Sequence, residues 1–224
     1  MKYIFGLVIL LFTLGSCVEI IDDISIKSDG SGTFKYTINL SSSKVKINSL
    51  LALDSLDGKK VPSIYDIQEK IAYYKAKIEK KEGLSNIKVD ANFTDFILKV
   101  QCDFQNIQAL QKAIKEIIVE ENKEWENSGI DHNWLVWDGM KLTRSIPPLP
   151  EKANNKIKQE DAEALKKGSY ISITRFDRPV EKFENTQAQL SANKMAVMIK
   201  TNPYSLSQNT ELLENTIYLS GIKK

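Results

Sequence analysis

The apolar residues of this chain change their period in alternation, and that change limits the folds open to it. From Ile24 to Leu40 they recur at every second residue: Ile24 and Ile26, then Phe34, Tyr36, Ile38 and Leu40. Period two puts them on one face of a strand. Asp29-Gly30-Ser31-Gly32 between the two runs supplies residues that tolerate positive φ, so the pair reads as a hairpin. A phosphate-cradling loop is the other use of such glycines, but neither G-x-x-x-x-G-K-[ST] nor G-x-G-x-x-G is present. Ser41 to Leu53 has the composition of a short helix, and Asp57-Gly58-Lys59-Lys60 with Pro62 breaks the pattern. The period then becomes helical. Ile64, Ile67, Ile71, Tyr74 and Ile78 form one stripe, with Ser63 placed as N-cap and Gly83 as C-cap. Such a stripe packs on the protein's own sheet or serves as a coiled-coil face, and packing on the sheet is the expectation.

Period two returns in Ile87, Val89 and Ala91, then in Phe96, Leu98, Val100, Cys102 and Phe104, with the polar turn Asn92 to Asp95 between them. Gln105 or Asn106 opens a second amphipathic helix with Ile107, Leu110, Ile114, Ile117 and Ile118 inward. It ends in the charged run Glu120 to Glu124, which has no EF-hand spacing and reads as a solvated helix end. NWLVWDGMKLTRS follows, with Asp138-Gly139 as a two-residue hairpin signal. Ile146-Pro147-Pro148-Leu149-Pro150 starts a stiff connector over residues 146–158, and a short helix is predicted from Gln159 to Lys167. Strands are predicted again over Tyr170 to Phe176, Met195 to Ile199 and Ile217 to Leu219. This order predicts the α+β class: an antiparallel sheet built from hairpins, with two main amphipathic helices on one face. The late strands are too few to own a core, so one domain over residues 23–224 is expected.

The chain opens MKYIFGLVILLFTLGSC. Lys2 is a positive n-region and Tyr3 to Leu14 an apolar stretch of signal-peptide length. A membrane span needs about 20 apolar residues, so this run stops too early to be one. Leu14-Gly15-Ser16-Cys17 resembles the bacterial lipobox. The resemblance implies cleavage between Ser16 and Cys17, acylation of the Cys17 sulfur and of the new amino group, and a mature protein held to membrane lipid. Residues 1–16 are then the signal peptide and 17–22 a short tether. The strand–helix order together with this start motif resembles bacterial envelope lipoproteins of the LppM type. That likeness brings no catalytic residue with it. It implies an envelope location, at the outer membrane if the organism has one.

Composition narrows the partners. A formal net charge of +2 over 224 residues lacks the strongly basic face that nucleic acid requires. With Cys17 acylated, Cys102 is the one thiol left, so no internal disulfide can form, and its inward register makes it a core residue. The single histidine, His132, lies in a turn-like stretch near Asp131 and Ser128. No G-x-S-x-G elbow accompanies them, there is no C-x-x-C pair, and no cofactor or metal site is legible. Trp134 and Trp137 alternate across a strand, either as sugar- or lipid-facing platforms or as core and edge residues. Two function classes follow. One is a non-catalytic lipoprotein that binds an envelope protein, glycan or lipid or supports an assembly. The other is an envelope hydrolase using acidic residues that the sequence does not single out.

Cys17→Ser removes the sulfur that the diacylglycerol would occupy. The expected result is loss of metabolic fatty-acid label, with the protein either held as precursor or released into the soluble fraction. A labelled wild type and an unlabelled, fractionation-shifted mutant are the checks.

Overall fold

The computed structural model describes residues 18–56, 58–121, 132–146 and 159–221. Strands β1 (Glu19–Ile26) and β2 (Gly32–Asn39) form the first hairpin, paired from Glu19 with Asn39 to Ile26 with Gly32. Its turn is built by Asp29, whose Oδ1 accepts from the Ser31 backbone N–H at 2.9 Å and from its hydroxyl at 2.7 Å. Gly30 takes a φ of +84° there, a conformation that costs glycine little. A 3₁₀ turn (Ser41–Ser43), helix α1 (Lys44–Leu51) and the two-residue strands β3 (Ser55–Leu56) and β4 (Lys59–Lys60) lead to α2 (Ile64–Ile78). Ser63 caps α2 as the sequence predicts: its hydroxyl accepts from Asp66 N–H, and Asp66 Oδ2 accepts from Ser63 N–H at 2.8 Å. Strands β5 (Leu84–Asn92) and β6 (Ile97–Phe104) follow, then α3 (Ile107–Glu121), capped by Asn106 through its contact with Ala109 N–H.

The second half contributes β7 (Leu135–Trp137), β8 (Lys141–Arg144), α4 (Gln159–Lys167), β9 (Ser169–Phe176), β10 (Val180–Phe183), β11 (Gln189–Leu190) and β12 (Ala196–Thr201). Helix α5 (Pro203–Gln208), a 3₁₀ turn (Thr210–Leu213) and β13 (Asn215–Leu219) complete it. Helix and strand contents place the fold in the α+β class. The sheet differs from the all-antiparallel expectation. A seven-stranded sheet runs β11-β12-β9-β1-β2-β6-β5, and β1 pairs with β9 in parallel, Asp22 opposite Ser172. Alternation of side chains is the same in parallel and antiparallel strands, so period two carries no information on direction. The late strands also do not all extend the first sheet. Strands β10-β13-β8-β7 make a separate four-stranded sheet.

The core lies between the two larger sheets and α3. Ile24, Ile26, Cys102, Phe104 and Phe176 come from the first sheet, and Leu135, Leu142, Ile217 and Leu219 from the second. Ile107, Leu110 and Ala113 come from α3. The two main helices contribute unequally. No residue of α2 is buried, because it packs beside the edge strand β5 and is tied to α3 by ion pairs: Lys77 with Glu120 at 2.7 Å and Lys81 with Glu116 at 2.8 Å. Glu120, the one side chain of the Glu120–Glu124 run that is described, is exposed as expected and also serves this bridge. Gln111, a position absent from the predicted apolar stripe, is buried and joins α3 to β7, bonding Leu135 N–H at 3.0 Å and Leu135 C=O at 2.8 Å.

Cys102 is buried, and that burial, with the charge of Asp103 beside it, pushes its thiol up to about 11. Phe96 belongs to the turn rather than to the strand, with a φ of +54°. The expected tether 17–22 gives way as well: β1 begins at Glu19, so residues 19–22 are sheet. Among the described residues no helix is long and apolar enough to cross a membrane.

Gly32 sits where the hairpin closes. A Cβ there would lie 1.9 Å from the Ser25 carbonyl oxygen and 2.5 Å from the Phe104 ring. Backbone cannot move aside as a flexible side chain can. Gly32→Ala is expected to destabilise the protein by about 3 kcal/mol or more, a fall in Tm of about 6 to 12 °C for a chain of this size. Thermal unfolding followed by circular dichroism measures it.

Candidate functional site

Alternation along β1 sends Asp22, Ile24 and Ile26 to the inner face of the seven-stranded sheet, and all three are buried. Asp22 is the anomaly: a carboxylate at a core position. Pairing brings Tyr36 of β2 opposite it on one side and Ser172 of β9 on the other. Tyr170, two residues before Ser172, shares that inner face. From the second sheet, β8 directs Arg144 across the interior to the same point.

The resulting cluster is fully bonded. Arg144 donates to Asp22 through Nη2 at 3.1 Å and, more distantly, through Nη1 at 3.4 Å. Nη1 also donates to the Ser172 hydroxyl at 2.6 Å. Ser172 Oγ in turn donates to Asp22 Oδ1 at 2.8 Å, and Tyr170 donates to Oδ2 at 2.5 Å. The pair is deeply enclosed, with side-chain exposures of 14% for Arg144 and 7% for Asp22. Burial opposes the charge on Arg144, but the Asp22 carboxylate outweighs it and holds the guanidinium protonated. Burial, then the Asp22 charge, lifts the Tyr170 phenol far above its ordinary range, so it remains a neutral donor. The same two causes raise Tyr36.

Beside this cluster lies a cavity of about 260 Å³. Its walls are apolar: Ile24 and Phe34 from the first sheet, Leu110 and Ile114 from α3, and Trp134, Leu135 and Ile146 from the second half. Asp22, Arg144, Tyr36 and Tyr170 form its one polar end. A larger groove, about 370 Å³, runs between α2 and α3, but charged groups such as Lys77, Lys81, Glu116 and Glu120 line it and pair with one another. That groove is the outer side of an ion-pair bridge. The apolar cavity has the composition of a binding site, a dry wall with few polar groups at one end.

Of the candidate residues singled out from sequence, Trp134 lines the cavity and the others fall elsewhere or play structural parts. Cys17, Ser16 and the cleavage point lie outside the described residues, as do Ser128 and most of the 146–158 connector. His132 is exposed, with Nε2 2.7 Å from the Ser145 hydroxyl, and among the described residues no carboxylate is bonded to its ring. Trp134 lines the cavity, while Trp137 stacks on Phe176 with ring centres 6.0 Å apart. Among the described residues, no group of three His, Cys, Asp or Glu side chains is placed to hold a metal ion. The functional candidates that sequence reading missed are Asp22, Arg144 and Tyr170. The signal for Asp22 was present: one acid in register with Ile20, Ile24 and Ile26. Nothing local marks Arg144, whose partner is 122 residues away.

Fold and site together define a two-sheet α+β domain around an apolar cavity with a buried ion pair at one end. No protein-family model matches the chain, and no curated protein matches it either. Among solved structures it is similar to the folded domain of LppM from Mycobacterium tuberculosis, determined by NMR. That likeness has a TM-score of 0.38 and 11% sequence identity, and it covers 93% of each chain.

Removing one member of the buried pair strands the other charge. Arg144→Met and Asp22→Leu are each expected to cost about 3 to 5 kcal/mol, whereas the double variant Asp22→Leu with Arg144→Met costs far less than the sum. Chemical denaturation of the three variants forms the double-mutant cycle that measures it.

Proposed function

We propose that this chain is a bacterial envelope lipoprotein, held to the membrane through acylated Cys17, whose folded domain binds rather than catalyses. Its bound partner is the apolar part of a small amphiphile. The observation that carries this reading is the cavity, apolar on every wall but one. Ligand pockets for drug-sized molecules run from about 300 to 1,000 Å³, so a volume of about 260 Å³ suits one acyl chain or a small apolar body. A glycan would need hydroxyl partners that Ile24, Phe34, Leu110 and Ile114 do not offer. The polar end offers hydrogen bonds without net charge, since Arg144 and Asp22 cancel. Asp22 is also ill suited to acid–base work, with both oxygens taken by Arg144, Ser172 and Tyr170. That weighs against the hydrolase alternative at this site. The lipobox supports placement at the envelope, with the outer membrane as the site where the organism has one.

A diazirine-bearing fatty acid, photolysed with the full-length acylated protein in vesicles, tests the cavity. Crosslinks are expected on peptides containing Leu110, Ile114 and Trp134. Ile114→Trp fills the space and should cut that labelling about tenfold while the thermal transition is retained. Labelling confined to surface peptides, or unchanged by Ile114→Trp, would sink the proposal.

A further inference from the structure

Val18 is already part of the fold. Its carbonyl accepts from Ser169 N–H at 2.8 Å, and its side chain packs so closely on Gly168 that a Cβ there would lie 2.7 Å from Val18 Cγ1. Cys17 is the next residue. On the reading that Cys17 carries the acyl chains, at most one residue of chain, about 3.6 Å, separates the lipid from the rigid edge of the sheet. No flexible tether lets the domain stand away. The bilayer surface must therefore meet the end of the domain at which β1 begins.

Sheet register says what else is at that end. Glu19 pairs with Asn39, and Asn39 with Ile97, so β2 ends and β6 begins beside the anchor. The chain after β2 is pinned there: Leu40 N–H donates to Phe96 C=O at 3.0 Å, and Lys44 bonds Asp95 at 3.1 Å. Residues 41–65, covering α1, β3, β4 and the start of α2, accordingly spread from the anchor end. This stretch is unusual for a water-facing surface. Of the nine large apolar or aromatic side chains that stand exposed among the described residues, five fall within it. They are Val45, Leu53, Leu56, Ile64 and Tyr65, with Val45 82% exposed. Exposed Lys46, Lys59 and Lys60 are interleaved with them and outnumber the two acids of residues 45–65, Asp54 and Asp57.

We infer that residues 45–65 form a second membrane contact, lying on an anionic bilayer surface beside the lipid anchor. Val45, Leu53 and Leu56 enter the headgroup boundary, and Lys46, Lys59 and Lys60 reach the lipid phosphates. Apolar side chains mixed with lysines and a tyrosine are the composition of an interfacial element. The occupant is a bilayer rather than a protein because anchor geometry brings a bilayer to this end regardless. One acyl-bearing residue fixes a point; this patch would fix the domain's orientation.

The test uses the full-length acylated protein with a single added cysteine, Val45→Cys, carrying an environment-sensitive fluorophore. The buried Cys102 stays unlabelled under native conditions. Val136→Cys is the control: it is exposed, and its neighbour Trp137 packs against Gly30 in the β1–β2 turn, at the opposite end of the sheet. Vesicles are phosphatidylcholine with and without phosphatidylglycerol, doped with brominated lipid. The expected result is a blue-shifted, bromolipid-quenched probe at position 45, strengthened by phosphatidylglycerol, and a probe in water at position 136. Lys46→Glu with Lys59→Glu should remove the phosphatidylglycerol dependence. A floating, fatty-acid-labelled protein whose position 45 probe stays in water overturns this inference alone. A blue shift without bromolipid quenching reports a protein neighbour and overturns it too. An unlabelled protein that does not float overturns the anchoring reading, and this inference with it.

Discussion

Asp22 and Arg144 hold the two larger sheets in one relation. Asp22 comes from the centre of the seven-stranded sheet and Arg144 from the four-stranded one, and the two form an ion pair at 3.1 Å. A buried pair of this kind is weak evidence of extra stability, because desolvation offsets much of the attraction. Its effect is on specificity. Any arrangement of the sheets that separated the two would leave an uncompensated charge in an apolar interior. Tyr170 and Ser172 complete the bonding of the carboxylate, so the parallel register of β1 against β9 is fixed at the same point.

The cavity follows from that arrangement. Bulky groups surround the ion pair, and Gln111 ties α3 to β7 beside it by bonding both backbone polar groups of Leu135. Ile114, Trp134 and Ile146 then line a space that the sheet residues Ile24 and Phe34 do not fill. Elsewhere the interior is filled in the ordinary way, with Ile26, Ile107, Leu142 and Leu213 wholly enclosed.

The same economy of chain that makes β1 a core strand also leaves only Val18 between it and Cys17. A lipoprotein with a long Gly/Ser linker could tumble above its membrane. Here Val18 is packed on Gly168 and bonded to Ser169, so any anchor at Cys17 acts on a rigid body.

By itself the sequence determined the local elements. Period two over 24–40 and 84–104 and period 3.6 over 64–78 and from Ile107 found β1, β2, β5, β6 and the two main helices, because side-chain periodicity is a property of each segment alone. Asp138-Gly139 and the Ser63 cap were legible for the same reason. Which strands share a sheet, the parallel β1–β9 pairing, and the second sheet were decided only by tertiary structure, since alternation is blind to direction and partner. So was the site. Asp22 in a row of isoleucines resembles a polar tether until Arg144 arrives from 122 residues away. A charge becomes a core residue only when its partner is buried with it, and that partnership is made in space.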